Sequence, residues 1–395
     1  MRPVVVLILH PAATADAGPL VRALAEARRA LAERQRAGFL AAGADSADVV
    51  AGPPDGLSFG ERLGAEMRAR AAGARGAAGS GGGAAAGTGG AGGVGGGAIE
   101  APGGVIVMGS GSIPLARAAD LRRFVEVAAG PGGHALANNR YSADVVAISR
   151  AADLAGLPPL PADNALPRWL EERAGVVVTD LQSRWRLGVD IDTPLDLILL
   201  RDPAAGALLA TAPLIGERLA ALGEVISNRR AELLVAGRVS AATLSWLQRG
   251  VACRVRALVE ERGLRAASRL AQSDGIGNSR PPRSVLGELL DQRDGPDALA
   301  RTVARLADAA VIDMRVLLAH REGAHEAATG RPSAWPTAED RFASDLLLPD
   351  RIVDEWLWAV TVSATTSPVP ILLGGHTLVN GGLRLLAQRA RAGAR

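Results

Sequence analysis

The chain has no lysine: all 44 of its basic residues are arginines, which excludes a lysyl nucleophile, a Schiff base and a lysine phosphate clamp. A single cysteine, Cys253, rules out an internal disulfide and a cysteine-built zinc cluster, and reads as a buried thiol of a reducing cytoplasm. Aromatic residues make up 3% of the chain, too few for the stacking platforms that hold single-stranded nucleic acid. The net charge is only +3, and the arginines are interspersed with acids, so no nucleic-acid surface is expected. No apolar run nears the roughly 20 residues that cross a bilayer. The opening run 4–9 is short for a signal peptide and reads as a buried first strand, so no membrane partner is expected. The five histidines, His10, His134, His320, His325 and His376, show no metal-ligand spacing among themselves.

What is present is an alternation of strand-like and helix-like segments. A length of 395 residues exceeds one hydrophobic core and implies two domains, placed at 1–205 and 206–395. The stretch 71–101 is almost wholly glycine and alanine and is expected to be a disordered loop inside the first domain. In the first domain, strands are predicted at 3–9, 48–51, 104–108, 134–137, 144–149, 176–179 and 185–189. Helices are predicted at 20–42, from Ser58 with a capping box to Glu61, at 118–128, 164–174, and from Pro194. The second domain carries predicted strands at 232–236, 254–259, 310–318 and 369–373. Its predicted helices lie at 241–248, 285–290, 299–306, 352–362 and 378–389, with a loop at 273–283. This pattern predicts an α/β fold with a mainly parallel sheet flanked by helices in each domain, and active residues at the carboxyl ends of the strands.

The segment Gly188-Val189-Asp190-Ile191-Asp192-Thr193-Pro194-Leu195-Asp196-Leu197 carries the strongest chemical signal. Two carboxylates flank one residue at a predicted strand end, and side chains two apart in an extended chain point the same way. Both can then grip one ion, and oxygen ligands of this kind suit magnesium. The alternative on spacing alone is that Asp192 caps the helix begun by Pro194 while Asp190 stays solvated.

The phrase Asp190-Ile191-Asp192-Thr193-Pro194-Leu195-Asp196-Leu197 resembles the closing motif of glycosyltransferase-A type nucleotidyltransferases, nearest to the 2-phospho-lactate guanylyltransferases of deazaflavin coenzyme synthesis. Further pieces fall in the same order: Gly109-Ser110-Gly111-Ser112-Ile113-Pro114-Leu115 is similar to the family's GDxPL turn, Ala137-Asn138-Asn139 to its GTN segment, and Asp163-Asn164 to the stretch before its next helix. The resemblance covers roughly 1–205. It implies transfer of a nucleoside monophosphate from a nucleoside triphosphate such as GTP to a small phosphorylated acid. Asp190 and Asp192 would hold Mg2+, and Ser112, Asn138, Asn139, Arg140 and Asn164 would contact substrate. The second domain would supply acceptor specificity or the contacts of a homodimer.

Two positions depart from the family pattern. Ser112 stands where a metal-binding aspartate is usual, and His10-Pro11-Ala12-Ala13 replaces a glycine-rich, basic phosphate loop; Arg28, Arg29 and Arg62 are the candidates to substitute for its charge. These departures motivate an alternative function, a binding protein that keeps the fold without turnover in a regulatory or scaffolding role. Elsewhere, Gly374-Gly375-His376-Thr377 reads as a tight strand-to-helix turn, the alternative being glycines that let backbone amides approach an anion at a helix start. Asp313, Arg315, Asp340 and Asp345 read as members of ordinary ion pairs, and Trp356 as a core residue.

Overall fold

The computed structural model of the chain describes residues 2–52, 59–79, 103–154, 156–158, 160, 165–260, 282–323 and 334–393. Six strands form a first sheet: β1 (Val4–Pro11), β2 (Ser46–Gly52), β3 (Gly104–Gly109), β4 (His134–Ala137), β5 (Val145–Ile148) and β6 (Val177–Asp180). Their spatial order is β2-β1-β3-β5-β4-β6. The second sheet comprises β7 (Glu232–Gly237), β8 (Arg254–Val259), β9 (Ala309–Asp313) and β10 (Ile371–Gly374), ordered β10-β9-β7-β8 and parallel throughout. The expected α/β class is therefore present in both halves. The expected mainly parallel sheet needs correction in the first, which is mixed: β5 runs antiparallel to both β3 and β4. The link 138–144 is shorter than the dozen or so residues of a parallel crossover, so β5 must return alongside β4.

The unbroken apolar run of β1 is explained by its position, paired on one side with β2 and on the other with β3 and buried on both faces. Helix α1 (Pro19–Ala41) starts on a proline, whose missing N–H costs nothing in a first turn. Leu20, Leu24, Ala27 and Leu31 on α1 belong to the hydrophobic cluster around the second sheet, whereas Ala32 and Phe39 belong to the cluster beneath the first. One helix thus serves two cores. Its amino end is held from the far half of the chain, where the Glu339 carboxylate accepts the amides of Leu20 and Val21, each at 3.1 Å.

The first half continues through α2 (Phe59–Gly79), α3 (Ala118–Ala128), α4 (Leu166–Glu172) and α5 (Pro194–Leu200). Residues 194–199 of α5 are all buried, and Leu195, Leu197, Ile198 and Leu199 belong to the same cluster as β7 and β9. The second half adds α6 (Ala205–Thr211), α7 (Pro213–Ser227), α8 (Ala241–Gly250), α9 (Val285–Asp291), α10 (Leu299–Ala304), α11 (Met314–Glu322), α12 (Ala338–Asp345), α13 (Glu355–Thr366) and α14 (Leu383–Gly393). Among the described residues no single helix is long and apolar enough to cross a membrane; α6 and α7 reach that composition only together, bent by 104°.

Several local expectations need correction. Residues 185–189 do not form a strand: Trp185–Gly188 is a 3-10 turn, after which Val189 is extended. The predicted strand 310–318 ends at Asp313, because the Asp313 carboxylate accepts the Arg315 amide and starts α11 there. The predicted helix 352–362 starts only at Glu355, leaving Val353 86% exposed, while Trp356 is partly buried against the core. Helix α2 carries the chain to Gly79, into the stretch expected to be a loop; the rest of that stretch, the Ser58 cap and most of 273–283 lie outside the described residues. Asp345 and Asp313 form buried ion pairs, with Arg315 through two bonds of 2.5 and 2.7 Å and with Arg238, whereas Asp340 accepts the backbone amides of Val353 and Asp354 and joins no ion pair among the described residues.

Candidate metal centre

The carboxyl ends of both sheets open onto one cleft of about 810 Å3, the place where α/β sheets bind ligands. Asn138 comes after β4, Arg238 after β7 and His376 after β10, and all three line the cleft together with Asn139, Tyr141 and Trp185. Neither half of the chain encloses it alone.

Next to the cleft-lining Gly188, the acidic segment is anchored by backbone. Asp190 forms an antiparallel bridge with Ser112, and the Ile191 amide donates to the Gly111 carbonyl at 2.9 Å. The turn expected to face the metal and the two aspartates therefore do come together. That turn holds Ile113 at a φ of 45°, a left-handed conformation that a β-branched residue adopts only under constraint. The constraint is visible: the buried Gln35 amide donates to the Ile113 carbonyl at 2.9 Å.

Asp190 and Asp192 point the same way and meet His376 of the second half. The His376 Nε2 lies 3.5 Å from Asp190 Oδ1, and its Nδ1 lies 3.8 Å from Asp192 Oδ2. Ligand atoms of the three residues fall within 4.8 Å of one another, so the group could hold a metal ion. The Thr377 hydroxyl donates to Asp190 Oδ1, and Arg28 on α1 binds the outer oxygen of Asp192 at 2.8 Å while its Nε donates to the Ile191 carbonyl. Behind them, Asp196 at the start of α5 accepts the amides of Asp192 at 2.9 Å and Thr193 at 2.8 Å. Its second oxygen is buried without a partner among the described residues. The N-cap of the helix is Thr193, with Asp196 bonding back to its amide, and Asp190 is buried, so the alternative of a capping Asp192 beside a solvated Asp190 does not hold.

Three carboxyl groups are concentrated here. Burial, and next the Asp192 charge, push the Asp190 carboxyl up to about 6 against the opposing pull of His376 and Thr377. Burial, then Asp190 and Asp192, raise Asp196 well above the usual carboxylate range. A bound cation relieves this repulsion directly.

The other predicted substrate contacts are spread over the cleft and its surroundings. Asn138 lines the cleft but spends both amide protons within the fold, on Asp144 Oδ2 and the Leu187 carbonyl, each at 2.8 Å. Asn139 lines the cleft, its Oδ1 accepting the Tyr141 amide. The Ser112 hydroxyl donates to the Asp144 carbonyl at 3.0 Å. Arg140 pairs with Glu171 and is not among the cleft-lining residues. Asn164 lies outside the described residues. Where a basic phosphate loop was missing, His10 is buried against the Ser110 hydroxyl at 3.0 Å, and burial, with Arg29 and Arg28 behind it, lowers its pKa.

His376 and Thr377 were legible in the sequence only as part of a turn, and Arg238 not at all. The available signal was general: each comes after a strand of an α/β pattern, where ligands bind. Compared with protein-family models, with curated proteins and with solved structures, the chain matches none.

Proposed function

We propose that the chain is a metal-dependent nucleotidyltransferase with a glycosyltransferase-A-like first half, transferring a nucleoside monophosphate from a nucleoside triphosphate to a small phosphorylated acid. The observation that carries this reading is the convergence of Asp190 and Asp192 on His376, a residue that lines a cleft of about 810 Å3. The donor set fits a divalent cation: two carboxyl groups side by side, with a third buried carboxyl behind them. Magnesium is the ion the resemblance implies, and it would supply charge stabilisation on the phosphoryl oxygens.

The chain's own residues would do the rest. Arg28 fixes one oxygen of Asp192, and the other lies 3.8 Å from the His376 imidazole. Arg238 presents a guanidinium at the cleft wall, braced by Asp313 through bonds of 2.6 and 3.1 Å, and can meet phosphate oxygens from its remaining donors. Asn138 holds the loop 138–144 closed on the segment before Asp190. Such chemistry asks positioning and charge of the protein and little covalent work.

A second reading, a nucleotide- or phosphometabolite-binding protein without turnover, is favoured by His10 and Ser112 at the two departures and by the Glu171 pairing of Arg140. One experiment separates them. Pyrophosphate release is measured with each nucleoside triphosphate and a panel of phosphorylated hydroxy acids, magnesium or manganese being supplied. Release that vanishes in Asp190→Asn supports transfer; nucleotide binding by calorimetry with no pyrophosphate from any pair supports the second reading.

A further inference from the structure

We propose that His376 is a direct metal ligand supplied by the second half of the chain, and that the centre selects a first-row transition dication over magnesium. This rests on the reading that Asp190 and Asp192 hold a cation, and deepens it by naming the ion class and the third donor.

The imidazole sits between the two carboxylates without hydrogen-bonding either. Its nitrogens stand off at 3.5 and 3.8 Å, whereas N–H···O bonds close to about 2.7–3.2 Å. A histidine kept there for an ion pair would be expected to close that gap. It is also held by a built support. The Asn380 amide donates to the His376 carbonyl at 2.9 Å and to the Arg238 carbonyl at 2.9 Å, while its oxygen accepts the Ser240 amide at 2.8 Å. Next to it, the Thr377 hydroxyl orients Asp190, the outer-shell role that polar partners take around metal ligands. Close approach of the two halves is permitted by Gly381, where a Cβ would lie 2.2 Å from Val189 Cγ2, one residue before Asp190. Charge points the same way: among the described residues no arginine pairs with Asp190, whose ionisable neighbours are Asp192 and His376, with Asp196 behind and Arg28 on Asp192.

Donor chemistry then decides the ion. Magnesium takes oxygen ligands and keeps its waters, but imidazole with carboxylates suits manganese and the later divalent metals of the row. A site assembled from two carboxylates and one histidine therefore discriminates where two carboxylates alone would not.

The test uses the full chain and manganous ion as the probe. Free Mn2+ is read by electron paramagnetic resonance, and Mg2+ affinity by its competition. Mn2+ is expected to bind at least about tenfold more tightly than Mg2+, with His376→Ala and His376→Asn each losing about tenfold or more of the Mn2+ affinity and a smaller share of the Mg2+ affinity. Unaltered protein gives an independent readout: bound Mn2+ should broaden the imidazole proton signals of His376 first among the five histidines. Equal affinity for the two ions, Mn2+ affinity unchanged in both variants, or bound Mn2+ that leaves the His376 signals sharp would each overturn the proposal. A manganese site that behaves as described while no nucleoside triphosphate yields pyrophosphate would sink the transfer reading alone. Magnesium-driven release indifferent to both His376 variants, with Mn2+ affinity unchanged, would sink this inference alone.

Discussion

Replacing Asp190 by asparagine should strengthen the metal-free fold near neutral pH while abolishing its response to metal. The carboxyl titrates at about 6 in the folded chain against 3.8 for an unperturbed one, raised by burial and then by Asp192. For an acid raised in this way, stability is full below the unfolded value and is lost as pH rises through the folded value. At roughly 1.4 kcal/mol per unit, ionisation of Asp190 costs the folded chain about 3 kcal/mol at pH 8. Asparagine keeps the acceptor for the Thr377 hydroxyl and carries no charge. The gain of up to about 3 kcal/mol, spread over an unfolding entropy of about 2.1 cal/mol/K for each of 395 residues, raises the melting temperature by about 3–4 °C. At pH 4, where the native carboxyl is largely protonated, the gain should shrink to nearly nothing. Calorimetric melting in chelator at both pH values checks this. Adding Mn2+ at about a hundred times its dissociation constant should then stabilise the parent by about 2.7 kcal/mol and the variant by almost none. An asparagine variant that melts lower than the parent at pH 8, or one whose gain is the same at pH 4, would refute the idea that Asp190 is held ionised against its surroundings.

Other consequences are equally open to measurement. Arg315→Met should cost about 3–5 kcal/mol in urea unfolding by stranding the buried Asp345 charge, and Arg315→Met with Asp345→Leu should recover most of it. Glu339→Ala removes two charge-assisted bonds from the start of α1 and should cost about 1–3 kcal/mol, with hydrogen exchange accelerated at Leu20 and Val21. Gly381→Ala should cost about 1–3 kcal/mol through overpacking against Val189 and weaken Mn2+ binding with it, as titration of the variant would record. The Cys253 thiol, pushed up to about 11 by burial, should resist thiol reagents at pH 8 in the folded chain and react on unfolding.

Much of this molecule is written locally. The run 4–9 makes a central strand because its side chains are apolar on both faces, Pro194 opens α5, and two aspartates with one residue between them share a side of an extended chain. Those features depend on neighbours in sequence, so the α/β class and the positions of Asp190 and Asp192 were readable without coordinates. What went wrong was also local in origin: Trp185–Gly188 has the apolar content of a strand but turns, and Asp313 ends β9 because its side chain caps helix α11. The reversed strand β5, by contrast, results from a link too short to cross the sheet.

Tertiary structure alone decided the rest. The spacing around His376 does not announce a metal ligand, since its partners lie far earlier in the chain, on a segment bridged to Ser112 after β3. Its arrival depends on α1 and α5 sharing one apolar cluster with β7 and β9, which brings the loops after β7 and β10 over the acidic turn. Burial of that kind depends on summed area and shape complementarity across distant segments, and neither is carried by the spacing of residues along a chain.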